Sequence, residues 1–234
     1  MLIAGVDGCK GGWICISKDL LSAEISTEVF PSMAGLLKRM PKAVVLAVDI
    51  PIGLPDSGPR KCDALARKLL GSPRASSVFP APIRPAIEAR SREEADEITR
   101  SVDGRGVGAQ AWGIYARIRE VDEIVSTDAL ARRRIYEVHP ELSFMYWHGG
   151  IALAESKKTE AGMAVRVRLI DDHFGKDLRQ QVRQQHPRSR VHDDDVNDAF
   201  AALWTAERIL SDSVKIFPDP PQWDALGIEM AMWF

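Results

Sequence analysis

The first thirty residues alternate between apolar runs and turn residues in a way that predicts three antiparallel strands. Leu2 to Asp7 is an apolar run, and the glycine-rich residues 8–12 turn the chain. Trp13 to Ser17 returns as a second strand, and Ala23 to Phe30 alternates well enough to be a third. The start of the chain is therefore a hairpin extended by one more strand.

A helix and a central strand follow. The helix starts at Pro31-Ser32, carries its apolar residues at helical spacing and ends at Pro41. Ala43 to Asp49 is then nearly all apolar, which indicates a strand buried on both faces in the centre of an α/β sheet.

The segment from Ile50 to about Arg105 is irregular and contains seven prolines, with one predicted helix from Cys62 to Leu70. It is too long for an ordinary loop. We interpret residues 50–105 as an insertion that folds over the sheet edge and could act as a lid over a substrate.

The rest of the chain predicts mainly helices around one further strand. The predicted elements are a helix over Gly108–Val121, a strand over Arg134–Val138, helices over Pro140–Trp147, Thr159–Gln185 and Asp194–Leu210, and an extended proline-rich tail, Val214–Phe234, that ends in a short strand. Hairpins make strands one to three antiparallel, and helical crossovers make strands one, four and five parallel. We expect one α/β domain over residues 1–234, with a mixed sheet and helices on both faces.

Acidic residues stand where these elements begin or end. Asp7, Asp49 and Glu137 lie at the carboxyl ends of the three parallel strands, where α/β sheets bind ligands. Asp195 and Asp198 are three residues apart and share a face in the first turn of the last helix. Small residues on nearly the same face, Ala199, Ala202 and Ala206, would let that helix approach the sheet closely.

Two explanations of these carboxylates are open. Aspartates at a helix start cap its amides, which we expect for Asp193 or Asp194, and buried Arg–Asp pairs would account for others. Capping does not account for Asp7, Asp49 or Asp198. Like charges about 4 Å apart repel by roughly 4 kcal/mol at an effective dielectric near 20, so a shared cation is favoured. All-oxygen ligands suit Mg²⁺ or Mn²⁺.

Composition narrows the class of protein only a little. The net charge of −2 gives no overall attraction to nucleic acid, although a local basic patch would suffice for a nuclease. Three cysteines without CxxC spacing argue against disulfide and cysteine–zinc scaffolds. The apolar runs are too short to span a bilayer, so we expect no membrane partner and a cytoplasmic protein. The oligomeric state stays open, a homodimer included.

Motifs along nearly the whole chain resemble those of the bacterial and archaeal domain-of-unknown-function 429 family. They are Gly5-Val6-Asp7-Gly8, Asp49-Ile50-Pro51-Ile52-Gly53-Leu54, Arg60-Lys61-Cys62-Asp63, Ser76-Ser77-Val78-Phe79, Glu137-Val138-His139-Pro140-Glu141, Ser156-Lys157-Lys158-Thr159 and Asp194-Asp195-Val196-Asn197-Asp198-Ala199. This resemblance implies a ribonuclease H-like fold, with a five-stranded sheet of order 3-2-1-4-5, and a predicted nuclease. Similarity to Holliday-junction resolvases implies that Asp7, Asp49, Asp195 and Asp198 hold the metal. Glu137 has no counterpart in that set and is a further candidate catalytic residue because of its place at a strand end.

Other residues are candidates for substrate binding. Lys157 and Lys158 precede a long helix and could meet a phosphate, or simply be a solvated helix start. Arg60 and Arg67 could line the insertion for an anionic substrate, or pair with Asp63 and its neighbours. Ser77 could contact phosphate, or belong to a turn. For His139, the alternatives are a general base, a metal ligand or a structural residue at a corner.

The leading hypothesis is a metal-dependent phosphodiesterase that hydrolyses nucleic acid with two metal ions. One alternative is nucleotide binding or phosphotransfer, as in actin-like ATPases, which normally carry two copies of the fold. Another is a domain that keeps the fold for binding a partner without catalysis.

Overall fold

The computed structural model describes residues 1–234 and contains a five-stranded mixed sheet. Its strands are β1 (Leu2–Cys9), β2 (Gly12–Asp19), β3 (Ile25–Phe30), β4 (Ala43–Val48) and β5 (Ile135–Glu137). The strand order is β3-β2-β1-β4-β5, with β1, β2 and β3 antiparallel and β4 and β5 parallel to β1. The predicted α/β class and sheet order are confirmed.

Ten helices surround this sheet. They are α1 (Met33–Arg39), α2 (Lys61–Leu70), α3 (Arg92–Asp103), α4 (Ala109–Trp112), α5 (Tyr115–Thr127), α6 (Ala129–Arg132), α7 (Pro140–Trp147), α8 (Glu160–Phe174), α9 (Leu178–Gln184) and α10 (Asp193–Leu210). One face of the sheet packs against α1 and α5, and the other packs against α8, α9 and α10. Helices therefore cover both faces, and none is long and apolar enough to cross a membrane.

Alternation along the parallel strands decides which side chains face α10. Even-numbered Val6 and Val48 lie in the core on the α1 side, whereas odd-numbered Ile3 and Ala47 lie in the core on the α10 side. Asp7 and Asp49 continue the odd-numbered series beyond the paired positions Val6 and Val48, so they also point toward α10.

The last helix, α10, lies almost directly on β1. A Cβ built on Gly5 would come within 2.2 Å of the carbonyl oxygen of Ala199 and 2.1 Å of the backbone nitrogen of Leu203. Only glycine permits this approach, and the alanines of α10 are fully buried beside it. The close packing predicted from the small residues of this helix is confirmed, and it brings the first turn of α10 to the carboxyl end of the sheet.

Several element boundaries differ from those predicted. The single helix expected over 159–185 is two helices, because Gly175 adopts a φ of 106° and its amide closes α8 on the carbonyl of Asp171. Likewise, the helix expected over 108–121 is divided into α4 and α5. The carboxyl-terminal tail forms a two-stranded sheet of β6 (Ile216–Trp223) and β7 (Glu229–Trp233) instead of one short strand.

Residues 50–105 contain more regular structure than the sequence pattern suggested. Helix α2 was expected, and it ends at Gly71 with a φ of 61°. Helix α3 is not predicted by the sequence pattern, although its start carries hydrogen bonds of the capping-box kind. The Ser91 side chain accepts a hydrogen bond from the amide of Glu94, and the Glu94 carboxylate accepts one from the amide of Arg90.

Candidate functional site

Three carboxylates from three different elements meet at the carboxyl end of the sheet. Asp7 and Asp49 stand side by side on β1 and directly after β4, and the Asp49 amide donates to the carbonyl of Val6 at 2.9 Å. Asp198 reaches them from α10. One carboxylate oxygen of each lies within 4.8 Å of the other two. The structure thus brings together three of the five acidic residues that the sequence singled out.

Asp7 and Asp198 are buried and Asp49 is partly buried, and burial disfavours their charges. Asp7 is 8% and Asp198 2% exposed. Burial, followed by the charges of Asp49 and Asp198, raises the pKa of Asp7 well above its ordinary value. Burial, followed by Asp198, also raises the pKa of Asp49 to about 7. Fully ionised, the three carboxylates need a cation beside them.

Lys157 supplies one such charge from the segment before α8. Its ammonium Nζ lies 2.5 Å from Oδ2 of Asp198 and 3.7 Å from Oδ2 of Asp194. The charge of Asp198 is the main reason that the pKa of Lys157 lies above its ordinary value. The sequence pattern predicted that Lys157 could meet a phosphate, but not its contact with Asp198.

The second oxygen of Asp198 is left without a partner. Its Oδ1 is buried and makes no hydrogen bond. Asp7 uses its Oδ1 to accept the amide of Gly8 at 2.6 Å, which leaves its Oδ2 free of protein donors. A buried carboxylate oxygen without a donor is unfavourable unless something else binds it, and a cation would do so. The donor atoms are all carboxylate oxygens, which fit Mg²⁺ or Mn²⁺.

Asp195 does not belong to this group of three. Its Oδ2 accepts the backbone amide of His192 at 2.7 Å, so it caps the start of α10. Asp194 instead faces Lys157, and Asp193 pairs with Arg179 at 3.1 Å. Capping was expected of Asp193 or Asp194, yet Asp195 is the residue that bonds the backbone at this helix start.

Glu137 borders the same cleft as the three aspartates, but its side chain points to the opposite face of the sheet. It is paired in register with Val48, not with Asp49, so alternation turns it away from α10. Its two oxygens accept from Arg60 Nη1 and Nη2 at 2.6 and 2.7 Å, and the amide of Ile52 adds a third hydrogen bond. Both oxygens of Glu137 are therefore engaged by the protein.

Arg60 is the centre of this second acidic group. It also pairs with Asp63 at 2.6 Å, and its side chain is fully buried. Burial alone would lower the pKa of Arg60, but Asp63 and Glu137 outweigh it and raise that pKa. Of the two interpretations of Arg60, the structure supports pairing with Asp63 and Glu137, an arrangement that fastens the insertion to the end of β5.

A cleft of about 610 Å³ opens above the three carboxylates. Its lining includes Lys157, Lys158 and Ser77 from the predicted set, and it adds Arg74, Gln110, Arg117 and His139, which sequence patterns did not place there as a group. Arg67 does not line it. Its guanidinium donates to the carbonyl of Val78 at 2.9 and 2.6 Å and so supports the wall of the cleft from behind.

Two arginines of the cleft form no ion pair with a carboxylate. Arg117 packs on Gly8, next to Asp7, and donates to the carbonyl of Cys9 at 2.5 Å. Arg74 has a buried Nε without a hydrogen-bond partner. Lys158 is exposed at the same cleft. These cations lack the acidic partners that would neutralise them within the protein, so the cleft can receive an anion.

His139 lies at the corner between β5 and α7. Its Nε2 is 3.3 Å from the carbonyl of Ser77, while Nδ1 is buried without a partner. Burial lowers the pKa of His139, which favours the neutral imidazole. Ser77 itself donates its hydroxyl to the carbonyl of Arg74 at 2.8 Å, as a turn residue does, although it also lines the cleft.

A family model described as "Protein of unknown function (DUF429)" matches residues 5–223. The chain belongs to the DUF429 family. The matched range of this DUF429 chain includes all three clustered aspartates and the whole cleft lining except Met232. Nothing matches it among the curated proteins or the solved structures with which it was compared.

Proposed function

We propose that this DUF429 protein is a metal-dependent phosphodiesterase that acts on nucleic acid. The observation that carries the proposal is the group Asp7, Asp49 and Asp198, whose oxygens lie within 4.8 Å of one another while Oδ1 of Asp198 is buried without a partner. These three residues would hold Mg²⁺ or Mn²⁺. When bound, such an ion activates water and offsets charge on a phosphoryl group.

The residues around the carboxylates support a phosphodiester as substrate. Lys157, Arg74 and Arg117 contribute positive charge to the same cleft as the acidic group. Hydrolysis of a phosphodiester at a metal site uses both kinds of charge. Carboxylates hold the metal, and cationic side chains attract the phosphate oxygens. Hydrolysis forms a bond from the water oxygen to phosphorus and breaks the bond to the leaving oxygen. One proton of the water ends on that oxygen, and the products are an alcohol and a phosphate monoester.

Nucleic acid is the proposed partner because lysine and arginine side chains are gathered at one cleft. The protein as a whole carries a net charge of −2, and the cleft contains carboxylates as well as cations, so a polyanion would be held here once a divalent ion offsets those carboxylates. Lys158, exposed at the edge of the cleft, would meet a phosphate next to the reacting one. The actin-like alternative has less support, because the chain contains one copy of the five-stranded sheet.

The test is cleavage of single-stranded, duplex and branched DNA and RNA with Mn²⁺. We expect cleavage that EDTA abolishes, and losses of at least about 100-fold in Asp7→Asn and Asp198→Asn. Asp172→Asn is the matched control, because Asp172 is exposed on α8 and away from the cleft. Activity that survives in both site variants would refute the proposal.

A further inference from the structure

The ammonium of Lys157 shares Asp198 with the place left for a metal. We propose that Lys157 takes the position of a second metal ion, so that the site binds one divalent cation per chain and Lys157 contacts the reacting phosphate. This inference rests on the proposed function but replaces the two-ion arrangement expected from the sequence.

The two oxygens of Asp198 have different surroundings. Oδ2 faces the Lys157 ammonium at 2.5 Å, and Oδ1 is buried with no hydrogen-bond partner. In sites with two metal ions, roughly 3.5–4 Å apart, carboxylates commonly lie between the ions. Here the ammonium already occupies one side of the Asp198 carboxylate, which leaves one side for a divalent ion.

Charge balance also favours one divalent ion per site. One divalent ion and one ammonium match the three negative charges of Asp7, Asp49 and Asp198. A second divalent ion would leave an excess of two positive charges among these groups, next to an ammonium that repels it. Three other carboxylates lie nearby. Glu141 is neutralised by Arg166, Asp195 accepts the amide of His192, and Asp194 is 31% exposed, so water weakens the effect of its charge.

Lys157 is held in place by the turn that precedes α8. The Thr159 hydroxyl donates to the carbonyl of Ser156 at 2.8 Å and accepts the amide of Gly162 at 3.1 Å. A Cβ on Gly162 would come within 2.0 Å of that same carbonyl oxygen, so the turn lies directly on the helix. The backbone on both sides of Lys157 is therefore fixed.

A buried ion pair fastens this turn to the rest of the site. Arg166 of α8 donates to the carbonyls of Glu155 and Gly162 and pairs with Glu141 of α7 at 2.7 Å. The Arg166 side chain is fully buried. The backbone of Lys157 is thus fixed, and its ammonium is held by Asp198 at 2.5 Å.

The ammonium has three N–H donors, and the hydrogen bond to Asp198 uses one of them. Lys157 also lines the cleft, where a second donor can reach an oxygen of a bound phosphate. Fixed positive charge at this point stabilises the charge that develops on the phosphoryl oxygens. Lys157 would then provide the positive charge that a second metal ion provides in two-metal sites.

Metal stoichiometry tests the inference directly. Native mass spectrometry and isothermal titration with Mn²⁺ should give one ion per wild-type chain, and two ions would overturn the inference. Lys157→Glu replaces the ammonium with a carboxylate and should take two ions, whereas the exposed-residue control Lys176→Glu should keep one. A single ion in Lys157→Glu would also count against it.

Lys157→Gln separates the role of the lysine from metal binding. Removal of a positive charge beside the ion should tighten Mn²⁺ binding at least about tenfold, while cleavage falls at least about 100-fold. Lys157→Arg should restore part of the cleavage with one ion bound. Cleavage by a folded Lys157→Gln within threefold of wild type would overturn the inference. If the proposed function itself is wrong, the result is different: the wild-type chain would bind no Mn²⁺ or would cleave none of the substrates.

Discussion

Gly5 of β1 lies against the carbonyl of Ala199 in α10, with no room between them for a side chain. This contact sets the height of α10 above the sheet, and therefore the distance from Asp198 to Asp7. Residues 5 and 7 of β1 face the helix together, so the sheet packing and the acidic group depend on one another.

Gly5→Ala should damage both stability and metal binding. The added Cβ would meet backbone atoms at 2.1–2.2 Å, so the helix has to move away. We expect a loss of roughly 2–4 kcal/mol in the free energy of unfolding, at or above the usual range for overpacking. Mn²⁺ affinity should fall at least about tenfold in the protein that still folds. Gly108→Ala is the control, because a Cβ there meets nothing within 4 Å. Unchanged melting and unchanged affinity in Gly5→Ala would contradict this account of the packing.

Much of the fold and part of the site follow from sequence pattern. Strand directions follow because hairpins make antiparallel pairs and helical crossovers make parallel ones, while the strand order comes from the family resemblance. Asp7 and Asp49 follow because each ends a parallel strand. Glu137 ends a strand as well, yet a register offset of one residue turns it to the opposite face. That offset depends on the pairing of β4 with β5, which no local pattern encodes.

The helical part of the site shows a similar limit. Helical spacing places Asp195 and Asp198 on one face, but capping of the His192 amide draws the Asp195 carboxylate back to the helix start. The ammonium beside Asp198 comes from residue 157, far away in sequence. Such contacts depend on how separate segments pack, so the sequence alone predicts which acidic and basic residues are near the site but not which of them touch.

Glu137 and Arg60 should prove structural. Arg60→Met would leave the carboxylates of Glu137 and Asp63 buried without their partner, and we expect a loss of about 3–5 kcal/mol in the free energy of unfolding. Arg92→Met is the control, because Arg92 is 48% exposed. Urea denaturation measures both. Glu137→Gln should leave Mn²⁺ affinity within about threefold of wild type, and a much larger loss would make Glu137 a metal ligand after all.

The acidic group should make the metal-free protein less stable as the pH rises. Asp49 has a pKa of about 7 in the folded chain and near 3.8 when unfolded, so the folded state binds more protons between these values. Stability therefore falls from about pH 4 to about pH 7 and then levels off. Asp49→Asn should flatten this fall, as should saturating Mg²⁺, and should raise the metal-free melting temperature at pH 7.5. Thermal melts from pH 4 to pH 8 with EDTA measure the effect. An identical fall in Asp49→Asn would show that other groups cause it.

Arg74 and Arg117 should bind phosphates of the substrate outside the reacting bond. Neither has an acidic partner, and both line the cleft above the carboxylates. Arg117→Ala should raise KM for a single-stranded oligonucleotide about tenfold, with a smaller effect on kcat and none on Mn²⁺ stoichiometry. Each phosphate contact that is lost should also reduce the slope of log affinity against log salt by about 0.7. Arg39→Ala is the control, since Arg39 is 73% exposed and far from the cleft lining. Equal salt slopes for wild type, Arg74→Ala and Arg117→Ala would mean that the strand takes another route, because a cation that binds phosphate must release counterions when it does so.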